Sequence, residues 1–589
     1  MAKCDKLKFP FVSCMPSLGS YHCGDYTTPT LKGTDSNPKL QLPPKMSAFS
    51  DSKSATAKNV DLVEIESWNS NTSGEERGVL EYDRTLLKQG LRQRHIQMLT
   101  LVGVFGTGLF LSSGGTLKKT GPVGMLIGYV LVGIVVGCNQ VAIAEVASFL
   151  PATAATVRHS EQFIDEAVGF AFGWISVYAA IMPAELSATA VVMTYWTDVS
   201  PAVFITVFGV LFILTNLYSV RFYGEIEYFF GWLKVILIVI IVITSLVIVC
   251  GGGPDHHAIG FQYWRDPGPI AEYIFTGARG RMTGIWSAIS SIVYSYGGVQ
   301  NIAILAGETK NSRHAIFHGA KNIFVRIITM YLVTVFFLTM IVPYNDPRIA
   351  SGTGTAQSSP FVIAITNAKI HVLPHIINAI VLTSAWSAGN LSMVEGSRNL
   401  FSLAAKNQAP KIFLKTTKRG VPYYGVAFVA IFLPLAYMSV SATSSTIFSW
   451  FQGLTSSNLL LRWILISANH IHMDRALRAQ GYTRKDLPYS TKFGPFAAWF
   501  SGIMSFIFLI TGGFTNFISG QFKIESFFTS YFIIPLSIGL FTFWKVFKKT
   551  RYLRPEEVDL KSIFTDIEEN PEDIPELNWT WKNFWKVLA

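Results

Sequence analysis

Long apolar segments follow one another from about residue 96 to residue 546, and they constrain the fold of this chain more than any other feature. We count about twelve that are long enough to cross a bilayer, because about 20 apolar residues in a helix span the hydrocarbon core. Their approximate cores are 97–117, 122–150, 168–194, 201–219, 229–250, 284–306, 324–343, 372–397, 421–438, 445–468, 495–512 and 527–546. Since lipid offers the backbone no hydrogen-bond partners, these segments predict twelve transmembrane helices.

The composition excludes a chain of ordinary water-soluble domains. Only 14% of the 589 residues are charged, against about 25% in a typical soluble protein, and 50% are hydrophobic. The formal charge of +11 does not indicate a nucleic-acid partner, because the Lys and Arg residues lie between the apolar segments. We therefore expect an all-α membrane protein that is surrounded by the lipid bilayer.

The chain divides into three regions. Residues 1–95 are rich in Ser, Thr, Lys and Pro and have no sustained apolar period, so we expect a disordered N-terminal tail. Residues 96–547 form the twelve-helix domain, and residues 548–589 form a polar C-terminal tail. Twelve spans place both tails on the same side of the membrane. The loops on that side carry more Lys and Arg, which predicts cytosolic termini.

Two of the predicted spans are interrupted by glycine-rich segments. The first span contains such a segment at residues 103–108, and the sixth contains one at residues 294–301. Unwound backbone persists in a membrane only where it lines a cavity or where a ligand replaces the missing hydrogen-bond partners. Broken helices 1 and 6 indicate a five-plus-five inverted repeat with a substrate bound at the breaks. The other interpretation is that these glycines only permit close helix packing.

The two breaks also predict the chemistry of a substrate. The N-terminus of a half-helix favours an anionic group, and the carbonyl end of a half-helix favours a cation. An α-amino acid carries both groups. The candidate binding residues at the breaks are Gly106, Thr107, Gly108, Ser295, Gly297 and Gly298.

Ionisable residues inside the spans are a second group of candidates, because each costs roughly 3 kcal/mol or more at the bilayer centre. Glu185 lies mid-span and is either the partner of a cationic substrate side chain or a protonated packing carboxyl. Lys234 holds the position of a bound cation as a fixed ammonium, takes part in proton coupling, or simply snorkels to the interface. Glu145, Glu395 and Arg462 lie nearer the cytosolic span ends, where a gate or a loop anchor is an equally good interpretation. Lys234 and Glu145 are the candidates for coupling.

No recognisable motif for catalysis or metal binding accompanies these residues. His256 and His257 are adjacent, which is not the helical spacing of a metal-binding pair. No grouping of Ser, His and Asp has the context of a nucleophile elbow. We expect no catalytic residue, no metal site and no nucleic-acid partner.

A set of short motifs extends over residues 90–589. They are RHIQM at 94–98, GTGLF at 106–110, GPVG at 121–124, YGEIE at 223–227, YWRDPG at 263–268, AGE at 306–308, VPYNDP at 342–347 and SPF at 359–361. Together these motifs resemble the fungal amino-acid permeases of the amino acid–polyamine–organocation superfamily. The final sequence, FWKVLA at 584–589, is most similar to the lysine/arginine permeases of that family.

The resemblance implies a LeuT-like fold and uptake of basic amino acids across the plasma membrane, driven by the proton gradient without any cofactor. By position, residues 106–108 match the segment that binds the substrate backbone. Glu185 matches the acidic residue linked with cationic substrates, and Lys234 matches the lysine of the fifth span. Thr455 matches a polar residue of the tenth span that lines the pocket for basic amino acids.

Several positions depart from the pattern of the basic-amino-acid permeases. Val177 and Ile181 stand where those proteins have Ser and Thr, and Gln300 replaces a Glu of the sixth span. Two alternatives therefore stay open. One is a neutral or broad-range amino-acid permease, and the other is a sensor that binds amino acids with little or no transport.

The resemblance also implies partners for the tails. Lys45, Lys53 and Lys58 are candidate ubiquitin acceptors, which would make a ubiquitin ligase and the trafficking machinery partners of the N-terminal tail. The other interpretation is that these lysines are solvated charges on a disordered segment.

Overall fold

The computed structural model describes residues 106–572, except residues 153, 219, 254–255, 301–311, 351–358, 418 and 442–443. Within this part of the chain every regular element is a helix. The α-helices are α1 Thr107–Leu111, α2 Ser113–Phe149, α3 Ala155–Phe163, α4 Glu166–Ala180, α5 Ala184–Met193, α6 Pro201–Tyr218, α7 Val220–Val249, α8 Gln262–Arg265, α9 Gly277–Ser295, α10 Ser312–Ile341, α11 Pro347–Ala350, α12 Pro360–Asn367, α13 Leu373–Ala405, α14 Tyr423–Ala430, α15 Met438–Ser441, α16 Ser444–Ala479, α17 Gly494–Thr511, α18 Ile524–Tyr531, α19 Ile533–Lys548 and α20 Lys561–Glu569. Short 3-10 helices occupy Lys411–Leu414, Leu433–Tyr437 and Phe514–Phe517.

Some of the predictions concern residues outside this described part. They are the N-terminal tail of residues 1–95 with Lys45, Lys53 and Lys58, residues 103–105 of the first predicted break, residues 301–306 of the sixth predicted span, and the last residues, 573–589.

Among the described residues, six helices are long and apolar enough to cross a membrane. They are Ser113–Phe149, Glu166–Met193, Pro201–Tyr218, Gly224–Val249, Tyr423–Val440 and Gly494–Thr511, and α18 with α19 makes a seventh if this pair, bent by 44°, is one span. Helices α10, α13 and α16, with 30, 33 and 36 residues, also exceed the thickness of a bilayer at 1.5 Å per residue, but they carry more polar side chains. The total of twelve spans and the five-plus-five repeat stay predictions.

The outer helices present rows of large apolar side chains. On α6 the side chains of Val203, Val207, Val210 and Leu214 are 48%, 50%, 50% and 59% exposed. Their spacing of four, three and four residues places them on one face of the helix. A continuous apolar face of this kind fits contact with lipid chains, as the sequence predicts for a membrane helix.

A glycine and a proline shape the helix that runs from the first predicted span into the second. Gly121 has φ of 70° inside α2, and Pro122 follows it. A Cβ at Gly121 would lie 2.5 Å from the backbone nitrogen of Ala271, whose N–H donates a 3.1 Å hydrogen bond to the carbonyl of Thr120. The sequence boundary between the two predicted spans therefore falls on a tight contact with the loop that precedes α9.

The structure divides the third predicted span, 168–194, into α4 and α5. The break lies at residues 181–183 and ends at Pro183, the residue that precedes α5. Proline lacks the N–H that would continue the hydrogen-bond pattern, which explains the position of the break. As a result Glu185 lies in the first turn of α5 rather than in the middle of a continuous helix.

Part of the predicted C-terminal tail packs against the helical domain. In residues 551–572, called the C-terminal segment below, Leu560 and Ile563 are buried in a cluster that includes Phe149. The carboxylate of Asp566 lies 2.6 Å from the guanidinium of Arg313. Glu572 accepts hydrogen bonds of 2.8 and 2.9 Å from two backbone N–H groups in the first turn of α10. A carboxylate at a helix N-terminus is favourable for the helix.

Candidate binding site

A cavity of about 120 Å³ lies where α1, the break between α4 and α5, the end of α9, α13 and α16 meet. All eight residues that the sequence predicts for substrate binding line it, namely Gly106, Thr107, Gly108, Glu185, Ser295, Gly297, Gly298 and Thr455. The structure therefore brings together residues that are up to 349 positions apart, counted from Gly106 to Thr455. Helices α13 and α16 contribute further lining residues, among them Ser392, Glu395, Asn458 and Arg462.

The carboxyl group of Glu185 is held between two hydroxyl groups from the first and sixth predicted spans. The Tyr294 hydroxyl donates a 2.7 Å hydrogen bond to Oε1, and the Thr107 hydroxyl donates a 3.0 Å hydrogen bond to Oε2. The two hydroxyl oxygens are themselves 3.3 Å apart. Glu185 thus connects the first, third and sixth predicted spans at the edge of the cavity. Sequence reasoning placed Tyr294 in the break but gave it no role.

The two glycines that flank Thr107 have different surroundings. A Cβ at Gly108 would lie 2.8 Å from the Ser295 Cα and 2.9 Å from the Tyr294 ring, so only glycine permits α1 to approach α9 this closely. Gly106 has extended backbone immediately before α1, and a Cβ there would meet no atom within 4 Å. The packing interpretation of these glycines therefore fits Gly108 and does not fit Gly106.

Three tyrosines pack against the end of α9 and the turn that follows it in the sixth predicted span. Helix α9 ends at Ser295, and a turn follows through residue 300 with φ of 91° at Gly298. The Tyr331 hydroxyl donates a 2.5 Å hydrogen bond to the Ser295 carbonyl, and the Tyr129 hydroxyl donates a 3.3 Å hydrogen bond to the Ser295 Oγ. The rings of Tyr129, Tyr296 and Tyr331 pack with centroids 4.8 to 6.1 Å apart. The sequence analysis did not predict this cluster, although tyrosines inside apolar spans were a signal that could have indicated it.

A second charged group of the cavity is an ion pair between α13 and α16. The Arg462 guanidinium lies 2.5 Å from the Glu395 carboxylate, and these side chains are only 5% and 15% exposed. The Arg462 guanidinium also lies 5.7 Å from the centre of the Phe172 ring on α4. The roles predicted from sequence for Glu395 and Arg462 were a gate or a loop anchor. In the structure both residues line the cavity wall.

Neither coupling candidate lines the cavity. Lys234 is 1% exposed, and its Nζ donates a 3.2 Å hydrogen bond to the Oγ of Ser387 on α13. Ser387 in turn donates a 2.6 Å hydrogen bond to the carboxylate of Glu227, which is also buried. The Lys234 amine is therefore enclosed between α7 and α13 and does not extend to an interface.

Glu145 lies at the centre of a network that joins α2, α16 and the loop before α17. Its oxygens contact the His470 ring at 2.6 Å, the Arg484 guanidinium at 2.5 Å, and the backbone N–H and hydroxyl of Thr491 at 2.6 and 2.7 Å. Every one of these partners belongs to the protein itself. The geometry favours the loop-anchor interpretation of Glu145.

The three departures from the family pattern occupy different environments. Val177 is 2% exposed in an apolar cluster with Leu400 and Leu403, and Ile181 packs against the same cluster. Neither side chain lines the cavity, whereas Gln300 does. The replacement of Glu by Gln in the sixth span is therefore the departure that alters the cavity wall.

The sequence pattern of the amino acid permeases matches residues 95–555 of this chain. The chain belongs to the amino acid permease family. Members of this family are transporters and not enzymes, and the chain is a multi-pass membrane permease. It is similar to the dicarboxylic amino acid permease of Saccharomyces cerevisiae, with 37% identity over 501 residues that cover 83% of this chain and 82% of that protein.

Two further similarities are with a second yeast permease and with a solved transporter structure. The basic amino-acid permease of Saccharomyces cerevisiae is 34% identical over 514 residues, which cover 86% of the permease described here and 89% of the yeast protein. A solved structure of a mutant manganese transporter from Eremococcus coleocola matches with a TM-score of 0.51 and 14% identity, over 78% of this permease and 94% of that chain. At this identity the match supports a shared transporter fold and carries no information on substrate.

Proposed function

We propose that this permease imports amino acids across the plasma membrane together with protons, and that it prefers cationic amino acids such as lysine and arginine. The observation that carries the proposal is the Glu185 carboxyl group at the edge of the cavity, held by Thr107 and Tyr294. A carboxylate inside a membrane domain is costly and usually has a partner of opposite charge. The ammonium or guanidinium of a cationic substrate would be such a partner. Both termini are proposed to lie in the cytosol.

The proposed placement of the substrate uses all three broken segments. Backbone groups of residues 106–108 receive the α-carboxylate, and the end of α9 near Ser295, with Gly297 and Gly298, receives the α-amino group. Glu185 then receives the distal cation, and Thr455 lines the path of the aliphatic chain. The support for this placement is that these residues share one cavity wall. Rocking of one helix bundle against the other would expose the cavity to each side in turn.

The proposed proton coupling uses Lys234, with no cofactor besides the proton gradient. The hydrogen-bonded series from Lys234 through Ser387 to Glu227 connects α7 to α13, and α13 also forms part of the cavity wall. Glu145 is the second coupling candidate, but its contacts favour a structural role.

Two observations bear on the alternatives. The basic amino-acid permease among the relatives supports the cationic preference, while the dicarboxylic amino acid permease shows that the family scaffold also serves acidic substrates. Val177 and Ile181, which suggested a neutral or broad-range carrier, lie away from the cavity and give that alternative no support. Gln300 lies in the cavity wall and keeps the sensor as the second candidate function, because a titratable carboxyl is missing there.

The test is uptake by proteoliposomes that contain the purified full chain. Labelled lysine and labelled leucine are supplied with and without an inward proton gradient. The proposal predicts that lysine accumulates when the gradient is imposed and that leucine accumulates less. Saturable lysine binding without accumulation would contradict proton-driven import and support the sensor. Accumulation of both amino acids to the same level would contradict the cationic preference.

A variant of the coupling site sharpens this test. Lys234→Met keeps a long apolar stem in the α7–α13 interface but removes the amine that contacts Ser387. We expect it to lose the stimulation by the proton gradient while it retains exchange of internal for external lysine. An unchanged response to the gradient would exclude Lys234 from coupling.

The resemblance also supports a trafficking proposal for the N-terminal tail. Ubiquitin attachment at Lys45, Lys53 or Lys58 would mark the permease for endocytosis. Replacing all three with Arg keeps the charge and removes the acceptor amines. A longer lifetime at the cell surface is expected, and an unchanged lifetime would refute the proposal.

A further inference from the structure

The cavity wall has a second polar region in addition to Glu185. Along α13 the lining residues include Ala388, Leu391 and Glu395, and along α16 they include Thr455 and Arg462. Spacings of three, four and seven residues place the lining residues of each helix on one face. Glu395 and Arg462 end these two rows and meet as an ion pair at 2.5 Å.

This ion pair is an unusual component of a membrane domain. Taking two charges out of water costs several kcal/mol for each ion, and replacement of a buried pair by apolar residues is often neutral or stabilising. Arg462 cannot lose its proton under physiological conditions, so its positive charge needs a permanent partner. A pair retained in a cavity wall therefore suggests a role beyond holding α13 against α16.

We propose that Glu395 is a specificity-determining residue that neutralises Arg462 and thereby excludes amino acids with anionic side chains from the cavity. The inference rests on the proposed function of the cavity as the substrate site. The charged residues of the described cavity wall are Glu185, Glu395 and Arg462. With the pair intact, their net charge is that of Glu185 alone, which favours a cationic side chain.

The two members of the pair should have opposite effects on selectivity. Glu395→Gln leaves the charge of Arg462 uncompensated and cancels the field of Glu185, so glutamate becomes an effective competitor and lysine a weaker one. Arg462→Gln leaves Glu395 and Glu185 as the charged residues of the described cavity wall and should shift selectivity further toward lysine. A unit charge about 8 Å away at an effective dielectric constant of about 20 changes affinity by more than tenfold. Because the glutamate and lysine inhibition constants change in opposite directions, we expect their ratio to shift by at least about a hundredfold.

The controls separate charge from structure. The double variant Glu395→Gln with Arg462→Gln restores the net charge of the wall and should return the ratio to within about threefold of the original. Glu161→Gln breaks another buried pair, that of Glu161 with Arg158 at 3.3 Å, which does not line this cavity. It is expected to leave the ratio unchanged. All variants retain hydrogen-bonding side chains, and monodisperse elution in detergent confirms their folding.

The measurement is competition by lysine, leucine and glutamate against uptake or binding of the labelled amino acid that the unaltered permease takes best. Opposite shifts for the two single variants, with recovery in the double variant, support the proposal. Equal losses for all competitors in both single variants would overturn it and assign the pair to packing alone. If one single variant does not fold, the direction of the shift in the other single variant decides, and a shift of the ratio by tenfold in the double variant also contradicts the charge argument. Each variant's ratio of inhibition constants is compared with that of the unaltered permease. A failure of this proposal can therefore be distinguished from a failure of the cationic preference, which would appear in the unaltered permease itself.

Discussion

Tyr294 donates a 2.7 Å hydrogen bond to Oε1 of Glu185 and so joins the last turn of α9 to the first turn of α5. Both residues lie beside breaks in their spans, and both line the same cavity. The position of the carboxyl group therefore depends on two interruptions, one at Pro183 and one after Ser295. Selectivity for a cationic side chain would therefore depend on the hydrogen bonds that position Glu185 as well as on its charge.

Tyr294→Phe should weaken binding of cationic substrates. The change removes the donor and keeps the ring, which packs edge-on against Phe448 at 6.0 Å. Hydrogen bonds to charged groups contribute about 1.5–3 kcal/mol, so the inhibition constant for lysine should rise at least tenfold. Tyr296→Phe is the matched control, because its hydroxyl bonds to the Tyr129 carbonyl and not to Glu185. Equal effects of the two variants on lysine competition would refute the role of the Tyr294 hydroxyl.

Gly108→Ala should abolish uptake, while Gly106→Ala should retain a substantial part of it. A Cβ at Gly108 would press against the backbone of Ser295, whereas a Cβ at Gly106 has open space around it. The clash would separate α1 from α9 and move Thr107 away from Glu185. Initial rates of uptake in proteoliposomes, corrected for reconstituted protein, check this difference. Retained uptake in Gly108→Ala would show that the close contact is dispensable.

Much of the cavity could be predicted from sequence because its residues are conspicuous in a membrane. Gly106 and Gly108 interrupt an apolar segment, and Glu185 is a carboxyl group within another, so each stands out against the lipid environment. Their shared position in one wall followed from the expectation that broken helices meet at the substrate site.

Other features depend on contacts between distant segments and have weaker signals. The break before Glu185 lies at Pro183. Proline is a weak sequence signal for such a break, because it is tolerated in membrane helices and its effect depends on neighbouring helices. Glu395 and Arg462 are 67 positions apart and lie on separate helices. Their pairing therefore leaves no pattern in the local sequence from which it could be predicted. The packing of the C-terminal segment was missed because its apolar residues are few and scattered.

Asp566→Asn should lower the stability of the permease. Asp566 and Arg313 form a 2.6 Å ion pair in which the arginine side chain is only 6% exposed. Breaking a buried pair from one side costs about 3–5 kcal/mol, and the partial exposure of Asp566 reduces this to about 2–3 kcal/mol. Glu568→Gln on the exposed face of α20 is the control. Thermal unfolding in detergent should show a lower midpoint for Asp566→Asn alone. Identical midpoints for the two variants would mean that the C-terminal segment contributes little.

His159 should make the permease sensitive to acid. Its ring on α3 is buried, and Nε2–H donates a 2.8 Å hydrogen bond to the Leu150 carbonyl. Burial lowers the pKa of His159 from 6.5 to about 4. Between these values the unfolded chain binds a proton that the folded chain does not, so stability falls as the pH decreases from about 6.5 to about 4.

The loss attributable to His159 is at most about 3 kcal/mol, because a shift of one pKa unit corresponds to about 1.4 kcal/mol. His159→Gln keeps a donor for the Leu150 carbonyl and removes the titrating group. The variant should therefore lose less stability than the unaltered permease between pH 6.5 and pH 4. Thermal midpoints measured at several pH values test this, and parallel curves for the two proteins would rule out His159 as the source.

Glu185→Gln tests whether Glu185 recognises the cationic side chain of the substrate. The change keeps the size of the side chain and one acceptor oxygen for the hydroxyl groups of Tyr294 and Thr107, but it removes the negative charge. Proteoliposomes with this variant are challenged with lysine and leucine as competitors for uptake. We expect the inhibition constant for lysine to rise by about thirtyfold, because a close charge pair worth about 2 kcal/mol is lost. The inhibition constant for leucine should change by less than about threefold. Equal increases for lysine and leucine would contradict the account.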